Sequence, residues 1–358
     1  MADLFEYLKW RGDIPFSEGR FTEIDGLILS AFCYIDAPAE LLQEMPFRIS
    51  ELQKQMHHLP KDVQRSAIRN ETDLKLLKTL AQSPRFRDVK VLSFSGHLDD
   101  QTETQFAAYC LELCEGKLAI VYRGTDHSIT GWKEDFNMSF MDKIPGQLMA
   151  ADFLKTCATR FSGDLYICGH SKGGNLAVYA ATTCPKNVEV RIRDVYNYDG
   201  PGFSQNFVKR ASYKRMIDRL HTFVPESSIV GILFIHEEPY EFVGSTNVGV
   251  AQHEPYSWKV MGASIVRCSR SESSNVMDQA LKQWLEGMTK QEREAFVENL
   301  FGLLQESDAS SLEDIAKLKT VFAAGKQYSS YSEKDKARLQ DAAKAFRLAI
   351  TQNWKKKK

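Results

Sequence analysis

Leu165-Tyr166-Ile167-Cys168-Gly169-His170-Ser171-Lys172-Gly173-Gly174-Asn175-Leu176-Ala177-Val178-Tyr179-Ala180-Ala181 is the stretch whose reading decides the fold. A short apolar run leads into Gly169-x-Ser171-x-Gly173, after which Leu176, Ala177, Ala180 and Ala181 recur at helical spacing. A buried strand, a tight turn and a helix with one serine at the bend form a nucleophile elbow. A serine projecting from such a bend sits in a strained backbone. Side chains two residues before and after it would collide with the neighbouring helix and strand, and Gly169 and Gly173 remove those collisions. The backbone N–H of Lys172, in the first turn of the helix, is then free to donate to a developing oxyanion.

A second stretch strengthens the reading. Lys117 to Tyr122 reads as a strand, followed by Arg123-Gly124-Thr125, then Ser128-Ile129, Trp132 and Asp135. With Gly169-His170-Ser171-x-Gly173-Gly174 downstream, this resembles the class 3 (fungal-type) lipases of the α/β-hydrolase superfamily over about residues 90 to 260. The whole chain looks closer to an uncharacterised bacterial family of lipase-like proteins. The resemblance implies an α/β-hydrolase fold with a central, mostly parallel sheet. It also implies that Thr125, directly after the Arg-Gly pair, supplies the second oxyanion donor and that Ser128 to Phe140 forms a lid. Lys172 departs from the apolar residue usual after the serine. Its side chain could favour a substrate with a negative group or could point to solvent.

The period of the chain changes outside this core. Residues 1–88 read as helical, with Thr22 and Asp25 as a capping-box pair ahead of Ile24, Leu27, Ile28, Ala31, Phe32 and Ile35 on one face. Further helices are expected around 39–43, 50–58 and 71–82. His57-His58 are read as solvated, because adjacent helical residues diverge by about 100° and no further ligand stands at metal spacing. From Val89 a strand and a hairpin lead into Arg-Gly-Thr. A helix from about Gln147 to Phe161 precedes the elbow, and strands follow at Val188 to Tyr198 and Arg219 to Val224. Beyond about Arg270 the chain is charged and helical, with starts at Thr289/Glu292, Ser311/Asp314 and Ser332/Asp335. The expected division is 1–88, a helical region; 89–269, the α/β-hydrolase core; and 270–358, a helical extension.

The triad partners of Ser171 must follow it in the order acid, then histidine. His253 follows strand-like residues and matches the late histidine, followed by an aromatic, of the resembling family; His236 is a weaker candidate, and His221 precedes the acid. In that family the acid follows the strand read here at 219–224. This implies Glu226, where the norm is Asp, and Asp199 is the alternative. Ile129, Trp132, Phe136 and Phe140 repeat as an apolar stripe, which serves a lid or an ordinary packing helix equally well.

The chemistry expected is serine-hydrolase cleavage of an ester or thioester, on a small or lipid-like substrate, through an acyl-enzyme on Ser171. A non-catalytic protein that uses the same scaffold to bind a ligand or partner is the other reading. With 43% hydrophobic residues over 358 positions the chain can bury a full core. A net charge of −1 gives no reason to expect a nucleic-acid partner. No P-loop, HExxH or CxxC pair occurs, so neither cofactor nor metal is expected. Seven scattered cysteines read as reduced, and with no basic-apolar leader and no apolar run of spanning length the expected location is the cytoplasm. Lys355 to Lys358 offer only weak support for peripheral membrane contact, since no second anchor accompanies them.

Overall fold

The strands alternate in where their side chains go. Leu118, Ile120 and Tyr122 join one apolar cluster, while Ala119 and Val121 join another on the opposite face. Neighbouring strands follow suit, with Ala108, Cys110 and Ile167 on the first side and Tyr109, Leu111 and Cys168 on the second. A period of two with both faces apolar belongs to a sheet covered on both sides. The computed structural model describes residues 2–126, 129–270 and 287–305, with 332–334, 336, 337, 340 and 341.

The sheet has eight strands whose spatial order is their chain order. They are β1 (Phe47–Arg48), β2 (Lys90–Asp99), β3 (Thr104–Cys114), β4 (Lys117–Tyr122), β5 (Asp164–His170), β6 (Ile192–Tyr198), β7 (Leu220–Pro225) and β8 (Tyr240–Val243). β1 to β4 pair antiparallel and β4 to β8 parallel. This is the expected central, mostly parallel sheet. A two-stranded ribbon, β9 (Val260–Met261) with β10 (Ser264–Ile265), stands apart from it.

That monotonic order explains the architecture. Parallel crossovers are right-handed, so successive steps in one direction put their helices on one face. The crossover helices, with β3, β4 and β5 side chains, share one cluster through Leu154, Leu176, Ala180 and Met216. The other face would be bare. It is covered by helices from the first part of the chain, α1 (Leu4–Arg11), α2 (Glu23–Phe32), α4 (Ile49–His58) and α6 (Glu71–Gln82), with Leu41 and Leu42 of α3 (Ala39–Gln43) partly buried against them, while α5 (Lys61–Ser66) buries no residue. Ile24, Leu27, Ile28 and Ala31 of α2 are fully buried in one cluster with Val121, Cys168 and Tyr198 of the sheet. Residues 1–88 therefore share a core with the strands.

The expected Thr22–Asp25 capping box opens α2. Asp25 is also the centre of a buried network. Arg85 Nε and Nη2 donate to its two carboxylate oxygens at 2.8 and 2.6 Å, and Tyr7 Oη donates at 2.9 Å. Both ion-pair side chains are wholly buried.

The elements after β4 are α7 (Ile129–Asn137), α8 (Pro145–Arg160) and α9 (Lys172–Thr183). Three short helices follow: α10 (Lys186–Glu189), α11 (Gln205–Val208) and α12 (Ala211–Met216). The sequence pattern placed Val188 in a strand; Pro185 instead starts the turn of α10, and the strand begins at Ile192. Thr289 and Glu292 cap α13 (Lys290–Gln305) as expected. The start at Ser311/Asp314, Asp335 of the next pair, and Lys355 to Lys358 lie outside the described residues. No helix among the described residues is long and apolar enough to cross a membrane.

Candidate active site

Ser171 stands between the end of β5 and the start of α9 with φ 59° and ψ −134°. This is a left-handed φ that an L-residue with a side chain adopts only under constraint. The constraint comes from the packing around it. A Cβ on Gly169 would lie 2.1 Å from the carbonyl oxygen of Gly173, and one on Gly173 would lie 2.2 Å from that of Tyr122. Helix and strands thus close on the serine from both sides. Ser171 N–H donates to Tyr198 O at 2.8 Å, which fixes the bend against β6. Gly124 of Arg-Gly-Thr meets the same point, for a Cβ there would come within 2.9 Å of the Ser171 Cβ.

β6 lies beside β5, and a carboxylate, Asp199, stands just past its end. Asp199 directly follows Tyr198, has φ 55°, and is wholly buried. Its Oδ2 accepts from His253 Nδ1 at 2.6 Å. Its Oδ1 accepts from Ser228 Oγ at 2.5 Å and from Gly231 N–H at 3.1 Å. Three donors compensate the burial of this charge. Because Nδ1 is committed to the carboxylate, Nε2 is the ring nitrogen left to take a proton from a nucleophile. The His253 side chain is 30% exposed, so the site is open to solvent on that side.

The acid implied by the resemblance stands elsewhere. Glu226 follows β7, one strand further out, and accepts from Gln252 Nε2 at 3.3 Å. Its backbone N–H goes to Val243 O. Asp199, the alternative, is the acid brought to His253, because it ends the strand next to the elbow strand while Glu226 ends the strand after that. His236 is held by Glu238 at 3.1 Å, and His221 by Asp194 at 2.8 Å while stacking on Tyr196. Neither joins this constellation. His57 and His58 are exposed, and no cluster with metal-ligand geometry occurs among the described residues.

Lys172 and Thr125, the two expected oxyanion donors, lie at the starts of the segments that follow β5 and β4. Lys172 is the first residue of α9, so its N–H stands ahead of the intrahelical ladder. Thr125 follows β4, and its Oγ1 donates to Asp135 Oδ2 at 2.5 Å, orienting the Thr125 segment. Asp135 Oδ1 is buried with no partner among the described residues, and burial pushes the carboxyl pKa up to about 6, against the pull of Lys172 and Thr125. The Lys172 side chain points neither to substrate nor to solvent. It is wholly buried, and its Nζ donates to Gln105 O, Gln105 Oε1 and Glu134 Oε2 at 2.7, 2.8 and 2.7 Å.

Tyr34, Arg69 and Trp258 carry no sequence signal of their own and join His170 of the elbow around the His253 loop. His170 donates from Nε2 to the carbonyl of His253 at 2.7 Å and accepts at Nδ1 from Tyr34 Oη at 2.9 Å. A carbonyl only accepts, so this pair of bonds fixes the neutral tautomer. Burial, then the charges of His253 and Arg69, hold the His170 pKa well below the ordinary imidazole value. Arg69 lies over the Tyr34 ring and donates to Glu254 Oε1 at 2.6 Å. Trp258, fully buried, donates to Gln252 O at 2.9 Å. The N-terminal helices and the late loop thus grip His253 together. Arg123 of Arg-Gly-Thr serves the same union, reaching Cys33 O at 2.5 Å and Asp36 Oδ1 at 2.6 Å beyond the end of α2.

Residues 80–302, well over half of the chain, match the family described as Mbeg1-like. The chain belongs to the Mbeg1-like family. No curated protein matches this Mbeg1-like chain. Among solved structures it is similar to M37 lipase, at 16% identity over 68% of this chain and 84% of that one, with a TM-score of 0.39. It is also similar to the lipase of Rhizopus microsporus var. chinensis, at 14% identity over 68% and 84%, TM-score 0.37. The native propeptide complex of Rhizomucor miehei lipase gives 18% identity over 68% and 81%, TM-score 0.35. At TM-scores this low the likeness carries no weight for the site, which rests on the geometry of this Mbeg1-like chain itself.

Proposed function

We propose that the protein is a serine hydrolase that cleaves an ester or thioester through an acyl-enzyme on Ser171. The observation that carries the proposal is the His253–Asp199 pair at 2.6 Å beside a serine held at φ 59°. In this reading His253 Nε2 removes the Ser171 proton as Oγ attacks the carbonyl carbon, and Asp199 stabilises the imidazolium that forms. The N–H groups of Thr125 and Lys172 receive the oxyanion. The imidazolium then gives its proton to the leaving alcohol or thiol, and water attacks the acyl-enzyme by the reverse of the same steps.

The cleft beside the elbow helix is mixed in character. Asn175, one turn after Ser171, borders it with Met138, Ile144, Phe203, Phe207 and Phe234. Three aromatic rings with Met138 and Ile144 form its apolar side, and Asp142, Gln147 and Ser204 form a polar side. A reducing compartment such as the cytoplasm fits the seven free thiols.

The test is fluorophosphonate labelling of the purified full chain, comparing wild type with Ser171→Ala, His253→Ala and Asp199→Asn. Labelling of wild type that is lost in the first two variants and strongly slowed in the third is the expected result. A folded wild type that fails to label, and fails to hydrolyse a panel of p-nitrophenyl esters and acyl thioesters, would sink the reading and leave the ligand-binding scaffold in its place.

A further inference from the structure

Lys172 and Glu134 form an ion pair whose two side chains are both wholly buried. Glu134 belongs to α7, the helix that the resemblance assigns to a lid, and Lys172 is the residue after the nucleophile. All three ammonium protons are used, on Gln105 O, Gln105 Oε1 and Glu134 Oε2. Glu134 is equally committed. Its Oε1 accepts from Gly146 N–H at 2.9 Å, and its Oε2 accepts from Gln105 N–H at 3.1 Å as well as from Lys172. One carboxylate thereby joins α7 to β3, to the first turn of α8 and to the elbow helix α9.

Its neighbours on α7 are tied down in other directions. Asp135 accepts from Thr125, and Asn137 Nδ2 donates to Glu103 at 2.8 Å. Lys133 pairs with Glu103 at 2.6 Å and with Glu298 of α13 at 2.9 Å. Phe136, from the apolar stripe, packs edge-on against Phe301 of α13 at 5.6 Å. Glu134 and Asp135, not Phe136, are turned toward the elbow helix and the Thr125 segment.

We propose that α7 is a fixed roof locked by the Lys172–Glu134 pair, so that substrate enters from the exposed His253 side as single molecules without displacement of α7. Swinging α7 away would leave the Lys172 ammonium buried without its counter-charge, and a buried charge stripped of its partner is strongly unfavourable. The consequence for substrate entry rests on the hydrolase reading; the lock itself does not.

The test is hydrogen–deuterium exchange of the α7 amides in the full chain. It is run alone, with dodecyl maltoside micelles, and with vesicles of phosphatidylcholine and phosphatidylglycerol. It is paired with the rate of fluorophosphonate labelling across the micelle-forming concentration. Unchanged α7 protection and a smooth labelling rate are expected. Loss of protection on micelles or vesicles, or a labelling rate that jumps more than tenfold where micelles appear, would overturn the lock. Glu134→Gln should speed α7 exchange by about a hundredfold or more, because it leaves Lys172 unpaired in the interior. The neutral pair Lys172→Met with Glu134→Gln should bring protection back to near the wild-type value. Exchange in Glu134→Gln within threefold of wild type would also overturn the proposal, and if that variant fails to fold the wild-type arms decide alone. Absent labelling with intact α7 protection would count against the hydrolase reading and leave the lock standing.

Discussion

Replacing Asp199 by Asn separates the two acids that the strand order could have supplied. The carboxylate accepts from His253 Nδ1 at 2.6 Å in a wholly buried position, so the imidazolium formed during attack is stabilised by a full charge that water screens poorly. With charge centres about 4 Å apart and an effective dielectric of about 20, that interaction is worth about 4 kcal/mol. At 1.36 kcal/mol per tenfold this is about a thousandfold in kcat. The Asn amide can also favour the wrong His253 tautomer, and the same change in the triad of a serine protease costs about ten-thousandfold. The expected loss is therefore about a thousand- to ten-thousandfold in kcat with little change in KM. Glu226→Gln, at the acid that Gln252 contacts, should stay within about threefold, as ordinary substitutions outside a catalytic constellation do. The assay is steady-state hydrolysis of a short p-nitrophenyl ester, with circular dichroism to confirm folding, because Asp199 also holds Ser228 and Gly231. A folded Asp199→Asn within tenfold of wild type, or a Glu226→Gln as damaged as Asp199→Asn, would refute the assignment.

Tyr34→Phe deletes the donor to His170 Nδ1 and frees that ring to present an acceptor to the His253 carbonyl. The expected result is a stability loss of about 0.5–1.5 kcal/mol in urea and a fall in kcat at unchanged KM; a change in KM alone would contradict it. Asp135 is protonated more readily in the fold, at about 6, than in the unfolded chain, at an ordinary carboxylate value near 3.8. As pH rises from about 4 to about 6 the unfolded chain ionises first, so native stability falls, and the penalty is complete above about 6. Asp135→Asn should therefore raise stability by about 1–3 kcal/mol at pH 8 and leave it unchanged at pH 3.5, read from urea unfolding at both values. An equal gain at both would disprove the ionisation account. Arg85→Met leaves Asp25 buried without its bidentate partner, and should cost about 3–5 kcal/mol in chemical denaturation. A loss under 1 kcal/mol would show that Tyr7 and the Thr22 cap suffice to hold Asp25.

Much of this protein is written locally. Gly169-x-Ser171-x-Gly173 between an apolar run and a helical repeat specifies the elbow, because those glycines are where helix and strand approach too closely for a Cβ. Arg-Gly-Thr after a strand locates Thr125, and the Thr22–Asp25 and Thr289–Glu292 pairs locate two helix starts, since a capping box is a contact within one turn. His253 is also legible, from chain order together with the family resemblance of the residues around it.

What only the tertiary structure decided is which distant groups share a space. Which carboxylate meets His253 was such a case. Asp199 and Glu226 each follow a strand, and the pairing of β5 with β6 places Asp199 beside Ser171. The fate of Lys172 was another, because a lysine side chain reads as solvated until a carboxylate from a separate helix, Glu134, is found buried against it. Tyr34 and Arg69 belong to a region that looks like a plain helical preface. They reach His170 and Glu254 because a sheet wound in one direction leaves one face open and the first helices close it. Periodicity records which residues are buried, but a side chain's partner across more than a hundred residues is fixed only when the sheet and its covering helices come together.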